Sequence, residues 1–136
     1  MLKKTIKYEN FNGEEIIEDF YFNITKNEVL QMELQTPGGY SAKIREMYNK
    51  KDTPTIMKNM EEIVLNAYGV KSADGRTFVK NDKVREEFKS TNAYSELMFE
   101  LLTDADKAVA FIKGVMPVEI KDSDVEAAKK ELGITE

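Results

Sequence analysis

Three stretches of the chain carry the residue types that chemistry needs. Glu14, Glu15, Glu18 and Asp19 offer carboxylates to a hard cation, which wants converging oxygens held by fixed elements. These four straddle a turn and a strand, and strand alternation sends them to opposite faces. A solvated strand edge is the better reading, since charge also keeps an edge from pairing indiscriminately. Thr103-Asp104-Ala105-Asp106 begins like a calcium loop but lacks the later Gly and the terminal bidentate Glu, so it reads as a helix cap. Thr36-Pro37-Gly38-Gly39-Tyr40 has backbone N–H groups that a phosphate would accept. A phosphate loop needs Lys-Ser/Thr after its glycines, whereas Tyr40-Ser41-Ala42-Lys43 follows here. That stretch reads as a linker between helices, or as a loop that closes on a partner.

What is missing narrows the chemistry further. The chain has no Cys and no His, which excludes disulfides and thiolate zinc sites. It also removes the commonest general base and metal ligand. Any catalysis would have to run on carboxylates or Lys alone, so the expectation is a protein that is not an enzyme and needs no cofactor, metal or nucleotide. Acidic and basic residues interleave and sum to −5. No predicted face carries a block of Lys and Arg, which argues against nucleic acid as a partner. No apolar run approaches the roughly 18 residues that a membrane span requires. The N-terminus MLKKTIKYENF alternates rather than building an apolar stretch, so it does not read as a signal peptide. A cytoplasmic protein is expected.

With catalysis set aside, the residues left to carry function are those suited to contact. Met47, Met57, Met60, Met98 and Met116 are many for 136 residues, and Met side chains adapt to irregular partners. Core filling accounts for such residues; a binding groove does so too. Met47, Met57, Met98 and Met116 are the candidate partner-binding positions.

The elements that position them follow from periodicity. At 41% hydrophobic and 33% charged, the chain is globular rather than disordered, and its length suits one core. Leu2, Ile6 and Tyr8 alternate with Lys3, Thr5 and Lys7. After a turn cluster at residues 10–13, Phe20, Phe22 and Ile24 share a face, with Ile17 and Tyr21 on the other. The pair predicts an antiparallel hairpin. Thr25 and Glu28 form a capping box that opens a helix ending before Pro37-Gly38. A helix is expected over 41–51, with Ile44, Met47 and Tyr48. Thr53-Pro54 starts another, carrying Ile56, Met57, Met60, Ile63, Val64, Ala67 and Tyr68 and stopped by Gly69. Asp74-Gly75 predicts a small hairpin over 70–79, and Asn81 or Asp82 caps the helix holding Val84 and Phe88. Ala93, Tyr94, Leu97, Met98, Leu101 and Leu102 then make the clearest stripe in the chain. Thr103 with Asp106 reads as the next cap, followed by a shorter stripe of Ala105, Ala108, Val109 and Ile112 that Gly114 and Pro117 end. The fold expected is α+β and mostly helical: an N-terminal β-hairpin followed by a bundle of five or six short helices. Residues 1–118 form one domain. Residues 119–136 form an acidic C-terminal tail with a weak helix over 122–132. The expected core is Phe20, Phe22, Ile44, Met60, Ile63, Val64, Phe88, Tyr94, Leu97, Leu101 and Ile112.

Residues 74–117, DGRTFVKNDKVREEFKSTNAYSELMFELLTDADKAVAFIKGVMP, resemble the C-terminal half of the small tail assembly chaperones of phages with long non-contractile tails. The likeness rests on Asp74-Gly75-Arg76, on Phe88 ahead of Thr91, on Ala93-Tyr94, and on Thr103-Asp104-Ala105 leading to Ala110-Phe111-Ile112 and Gly114. It implies a non-catalytic protein of the bacterial host cytoplasm, encoded by a phage or prophage and absent from the finished virion. It implies as partners the tape measure protein, which is long and helical, and the major tail protein that forms the tube. Self-association is compatible with that role, and a frameshifted longer product occurs in many such phages. The competing reading is a virion structural protein, such as a tail terminator or head–tail connector component. An enzyme or regulator using carboxylates ranks last.

Overall fold

Alternation near the N-terminus becomes two paired strands. In the computed structural model, which describes residues 1–35 and 53–117, β1 (Leu2–Glu9) pairs antiparallel with β2 (Glu15–Phe22), with Leu2 opposite Phe22 and Glu9 opposite Glu15. The turn between them is built by Asn10. Its side-chain oxygen accepts the N–H groups of Asn12 and Glu14, both at 2.9 Å, and its carbonyl accepts that of Gly13 at 3.1 Å. Gly13 takes φ 79°, a left-handed value that a side chain resists. Strand period 2 then puts Ile6, Phe20 and Phe22 on one buried face and leaves Lys3, Thr5, Lys7, Ile17 and Asp19 exposed on the other.

The capping box forms as expected. Thr25 Oγ1 accepts the N–H of Glu28 at 3.1 Å, and Glu28 Oε1 accepts that of Thr25 at 3.0 Å, opening α1 (Lys26–Gln35). The next described helix, α2 (Thr53–Ala67), buries Met60, Ile63, Val64 and Ala67, an i, i+3, i+4, i+7 set. β3 (Tyr68–Lys71) and β4 (Phe78–Val79) are the small hairpin, with Gly75 at φ 75°. Ser72 and Asp74 brace its loop through a 2.6 Å hydrogen bond. β3 also pairs with β2 at Tyr21 and Phe22, so the two hairpins merge into one sheet of order β1-β2-β3-β4.

Three helices complete the second layer. Asn81 caps α3 (Asp82–Lys89) by accepting from Val84, and Thr91 caps α4 (Asn92–Thr103) by accepting from Tyr94. α5 (Ala105–Val115) follows at once. α4 lies against β1, where Lys4 reaches Glu100 at 3.3 Å and Asn92 Nδ2 reaches the Glu9 carbonyl at 2.8 Å. Among the described residues the result is a mostly helical α+β protein with five helices packed on one face of a sheet. The centre is aromatic: Phe22 sits 5.2 Å from Phe111 and 5.8 Å from Phe88, and Tyr68 stacks on Phe88 at 4.1 Å.

Several local expectations are corrected. Gly69 does not stop a helix; it lies inside β3 opposite Tyr21. A Cβ there would fall 2.5 Å from Phe78 Cε2 and 2.8 Å from Lys80 Cγ, so glycine is required by space, not by turn geometry. Gly114 likewise sits within α5, where a Cβ would meet Leu2 Cδ1 at 3.1 Å. Asp104, not Thr103, caps α5, accepting from Asp106 and Lys107, while the Thr103 hydroxyl donates to the Phe99 carbonyl at 2.7 Å. The buried face of α5 is Ala108, Phe111, Ile112 and Val115, with Ala105 and Val109 exposed. Tyr94 is half-buried at the rim of the core. The helix expected over 41–51, with Ile44 and Met47, the linker at 36–40 and the tail at 119–136 lie outside the described residues.

One junction ties the layers together. The last carbonyls of α2 have no basic residue of their own helix to meet them. Instead Arg85 Nε reaches the Leu65 carbonyl at 3.1 Å, Lys80 Nζ that of Asn66 at 2.9 Å, and the Asn23 N–H that of Ala67 at 2.8 Å. The next N–H, from Ile24, closes the end of α5 at the Val115 carbonyl, 2.9 Å away. Lys80, with a side chain only 10% exposed, also binds the Asn23 carbonyl and sits 2.6 Å from Glu28. The residues that leave β2 thus cap two helices and anchor the start of a third.

Candidate partner-binding surface

The acidic cluster is placed by strand alternation, and each member has a local partner. Glu18 accepts the Tyr8 hydroxyl at 2.5 Å, Asp19 accepts Thr5 at 2.6 Å, Glu15 pairs with Lys7 at 3.3 Å, and Glu14 accepts Asn10 Nδ2 at 3.4 Å. Among the described residues no three carboxylates gather to hold a metal ion. Thr103-Asp104-Ala105-Asp106 is spent on capping α5.

Among the described residues, the titrating groups that are shifted move away from neutrality. The hydrogen bond to Glu18 pushes the Tyr8 phenol up to about 12. Burial raises Tyr68, helped by Glu18 and Glu87, and burial followed by the charge of Glu61 raises Tyr94 well beyond the ordinary phenol value. Glu61 also raises Lys89. The Asp74 carboxyl is lowered by the Ser72 hydroxyl and the Arg76 N–H. For Glu28, burial pulls upward, but hydrogen bonds from Lys80 and Thr25 outweigh it and leave the carboxyl below its ordinary value. Each of these groups is held more firmly in the charge state it already has at neutral pH. That is the opposite of what a general acid or base requires.

The methionines divide. Met98 is a core residue at 9% exposure, packed with Leu97 and Leu101, and so is Met60 at 1%. Met57 projects from α2 at 48% exposure, and Met116 is half-buried where it follows α5. Met47 lies outside the described residues. The helical layer adds an anchor that periodicity passes over: Phe99 is 69% exposed on α4. Its signal in the sequence is that it falls off the stripe formed by Ala93, Leu97, Met98 and Leu101, between Glu96 and Glu100. Large aromatic side chains of this kind often carry binding energy at interfaces. Val109 on α5 is also exposed, and so are Phe11 at the hairpin turn and Ile17 on β2. A cleft of about 170 Å³ opens between α1, the end of α2 and α3, lined by Ile24, Glu28, Gln31, Met32, Gln35, Asn66 and Arg85. Its lining is mixed, with the apolar Ile24 and Met32 beside Glu28, Gln31, Gln35, Asn66 and Arg85.

No described helix is long and apolar enough to cross a membrane. Among known proteins, the family model described as phage tail assembly chaperone matches residues 1–136, the whole chain. The match therefore takes in the N-terminal sheet as well as the helical half. No curated protein and no solved structure matches the chain. The helical likeness of residues 74–117 extends to the complete sequence, and this chain belongs to the phage tail assembly chaperone family.

Proposed function

We propose that the chain binds the tape measure protein, and delivers tail tube subunits to it, as a non-catalytic chaperone in the bacterial host cytoplasm. The observation that carries this reading is the family match over the full length. Exposed apolar side chains on the helical layer support it. Met57 at 48% and Phe99 at 69% exposure suit amphipathic helical segments, which lay an apolar face against such anchors. Met116, half-buried beside the core, is the third contact proposed; Met98 contributes indirectly, by holding α4 in place. The net charge of −5 favours basic stretches of the partner and makes association faster at low salt.

Coexpression tests the reading. The long helical tail protein should stay soluble with this chain and precipitate without it. Met57→Glu combined with Phe99→Glu should abolish the rescue while leaving the circular dichroism of the chaperone unchanged. If the tail protein is equally insoluble in both conditions, the chaperone reading fails. Recovery of the chain from purified virions would favour the virion-component reading instead.

A further inference from the structure

We propose that the segment just after α5, Val118-Glu119-Ile120, folds back into the cleft between α1, the end of α2 and α3, where it competes with any outside segment for that site. The inference stands on the cleft and on where α5 ends. It does not depend on which protein the helical layer binds.

Backbone geometry delivers the chain to the cleft. The Val115 carbonyl at the end of α5 accepts the N–H of Ile24 at 2.9 Å, and Ile24 is part of the cleft lining. Met116 leaves the helix with φ −79° and ψ 142°, the extended conformation that a following proline favours. Extended chain gains at most about 3.5 Å per residue, so Ile120 can lie up to about 17 Å beyond Val115. The target is nearer than that. Met32 lies only about 9 Å of helix beyond Lys26, at the start of α1.

The cleft matches the segment in pattern. Extended chain alternates, so Val118 and Ile120 face one way and Glu119 the other. The apolar part of the described lining is the half-buried Met32 with the buried Ile24. Arg85 supplies the polar part. Its Nε binds the Leu65 carbonyl, and one terminal nitrogen lies 3.3 Å from the fully exposed Asp82. A guanidinium has five N–H groups, so donors remain for a carboxylate. Glu28, the acid in the described lining, is neutralised by Lys80 at 2.6 Å.

Charge then selects the occupant. Residues 118–126, VEIKDSDVE, carry Glu119, Asp122, Asp124 and Glu126 against Lys121. The other candidate within the chain is residues 36–52, which follow α1 in sequence. They carry Lys43, Arg45, Lys50 and Lys51 against Glu46 and Asp52, and would bring cations to a cation. Tethering strengthens the case for the tail. A segment joined to its site by a short linker has an effective concentration on the order of millimolar. A contact too weak to hold two molecules together therefore persists within one.

Methyl NMR on the full chain tests it. Nuclear Overhauser contacts should join the methyls of Val118 or Ile120 to those of Met32 or Ile24, and should persist on dilution. Val118→Asp with Ile120→Asp should abolish them, and Glu119→Lys should weaken them. All three positions lie beyond α5, and unchanged circular dichroism checks the fold. Hydrogen exchange supplies a second readout, because α1 forms one wall of the cleft. Amides at 29–34 should exchange at least about twofold faster in the double variant, the factor expected when a site filled half the time or more is emptied. Absence of these contacts in the wild type, or contacts from residues 36–52 to Met32 in their place, would overturn the proposal. So would contacts that vanish on dilution, which would come from a second copy, or unchanged exchange of α1 in the double variant.

Discussion

The two ends of β2 behave as different materials. Phe20, Phe22 and Ile24 are 7%, 0% and 1% exposed, and the backbone that follows Phe22 caps α2 and α5. A few residues upstream, Glu15, Ile17 and Asp19 stand exposed, and Glu15 and Asp19 bond to Lys7 and Thr5 of β1. Both ends alternate and both pair in the same hairpin, so local structure does not distinguish them. Among the described residues the helices cover one end and stop short of the other. One strand therefore holds the fold at its C-terminal end and offers surface at its N-terminal end.

The largest test of that contrast is a pair of truncations. Phe22→Ala should cost about 3–5 kcal/mol, because the site is walled by Phe88, Phe111 and Tyr68 and cannot collapse. Ile17→Ala in dilute solution should stay within about 0.5 kcal/mol. Chemical denaturation that gives similar losses for the two would break the comparison.

A smaller effect sharpens it from the charged side of the junction. Lys80→Met should cost about 2–3 kcal/mol, since it strips Glu28 and two carbonyls of their donor. The same contact sets a pH dependence. The folded carboxyl of Glu28 lies below its ordinary value of 4.5. Its stabilisation is therefore complete above that value and is lost as pH falls through the folded one. Thermal melts of the wild type should show this loss in acid, and Glu28→Gln should flatten that part of the profile. An identical profile in the variant would mean that the junction does not depend on the pair.

The smallest effect belongs to the free end. Asn10→Ala removes the acceptor of two turn N–H groups and should cost about 1 kcal/mol. The loss should be confined to amide exchange near the turn, with the junction undisturbed. Faster exchange at Asn23 and Ile24 would show the two ends to be coupled after all.

Much of this architecture was legible residue by residue. The hairpin follows from alternation of Leu2, Ile6 and Tyr8 against Phe20 and Phe22, the box at Thr25 and Glu28 from its spacing, and the second hairpin from Asp74-Gly75. Of the core expected on α2 and α4, Met60, Ile63, Val64, Leu97 and Leu101 are buried, whereas Tyr94 is half-buried and Ala67, Ala93 and Met98 join the core. These features depend on near neighbours, and near neighbours are what a sequence displays. The candidate partner-binding positions were less legible. Met57 and Met98 are the same residue type on similar helices, and only the position of a second element makes one a core residue and the other a surface one.

By itself, then, the sequence determined most of the element types, the caps at Thr25 and Asn81 and the lack of His and Cys, because periodicity, capping chemistry and composition are local properties. Tertiary structure alone decided that β3 would join β2 and that donors from Arg85, Lys80 and Asn23 would end α2. It also decided that Gly69 and Gly114 would serve as places of close approach. The physical reason is the same in each case. A glycine that ends a helix and a glycine that admits a phenyl ring look identical along the chain. They differ only in what the rest of the molecule brings within 3 Å or so of the missing Cβ.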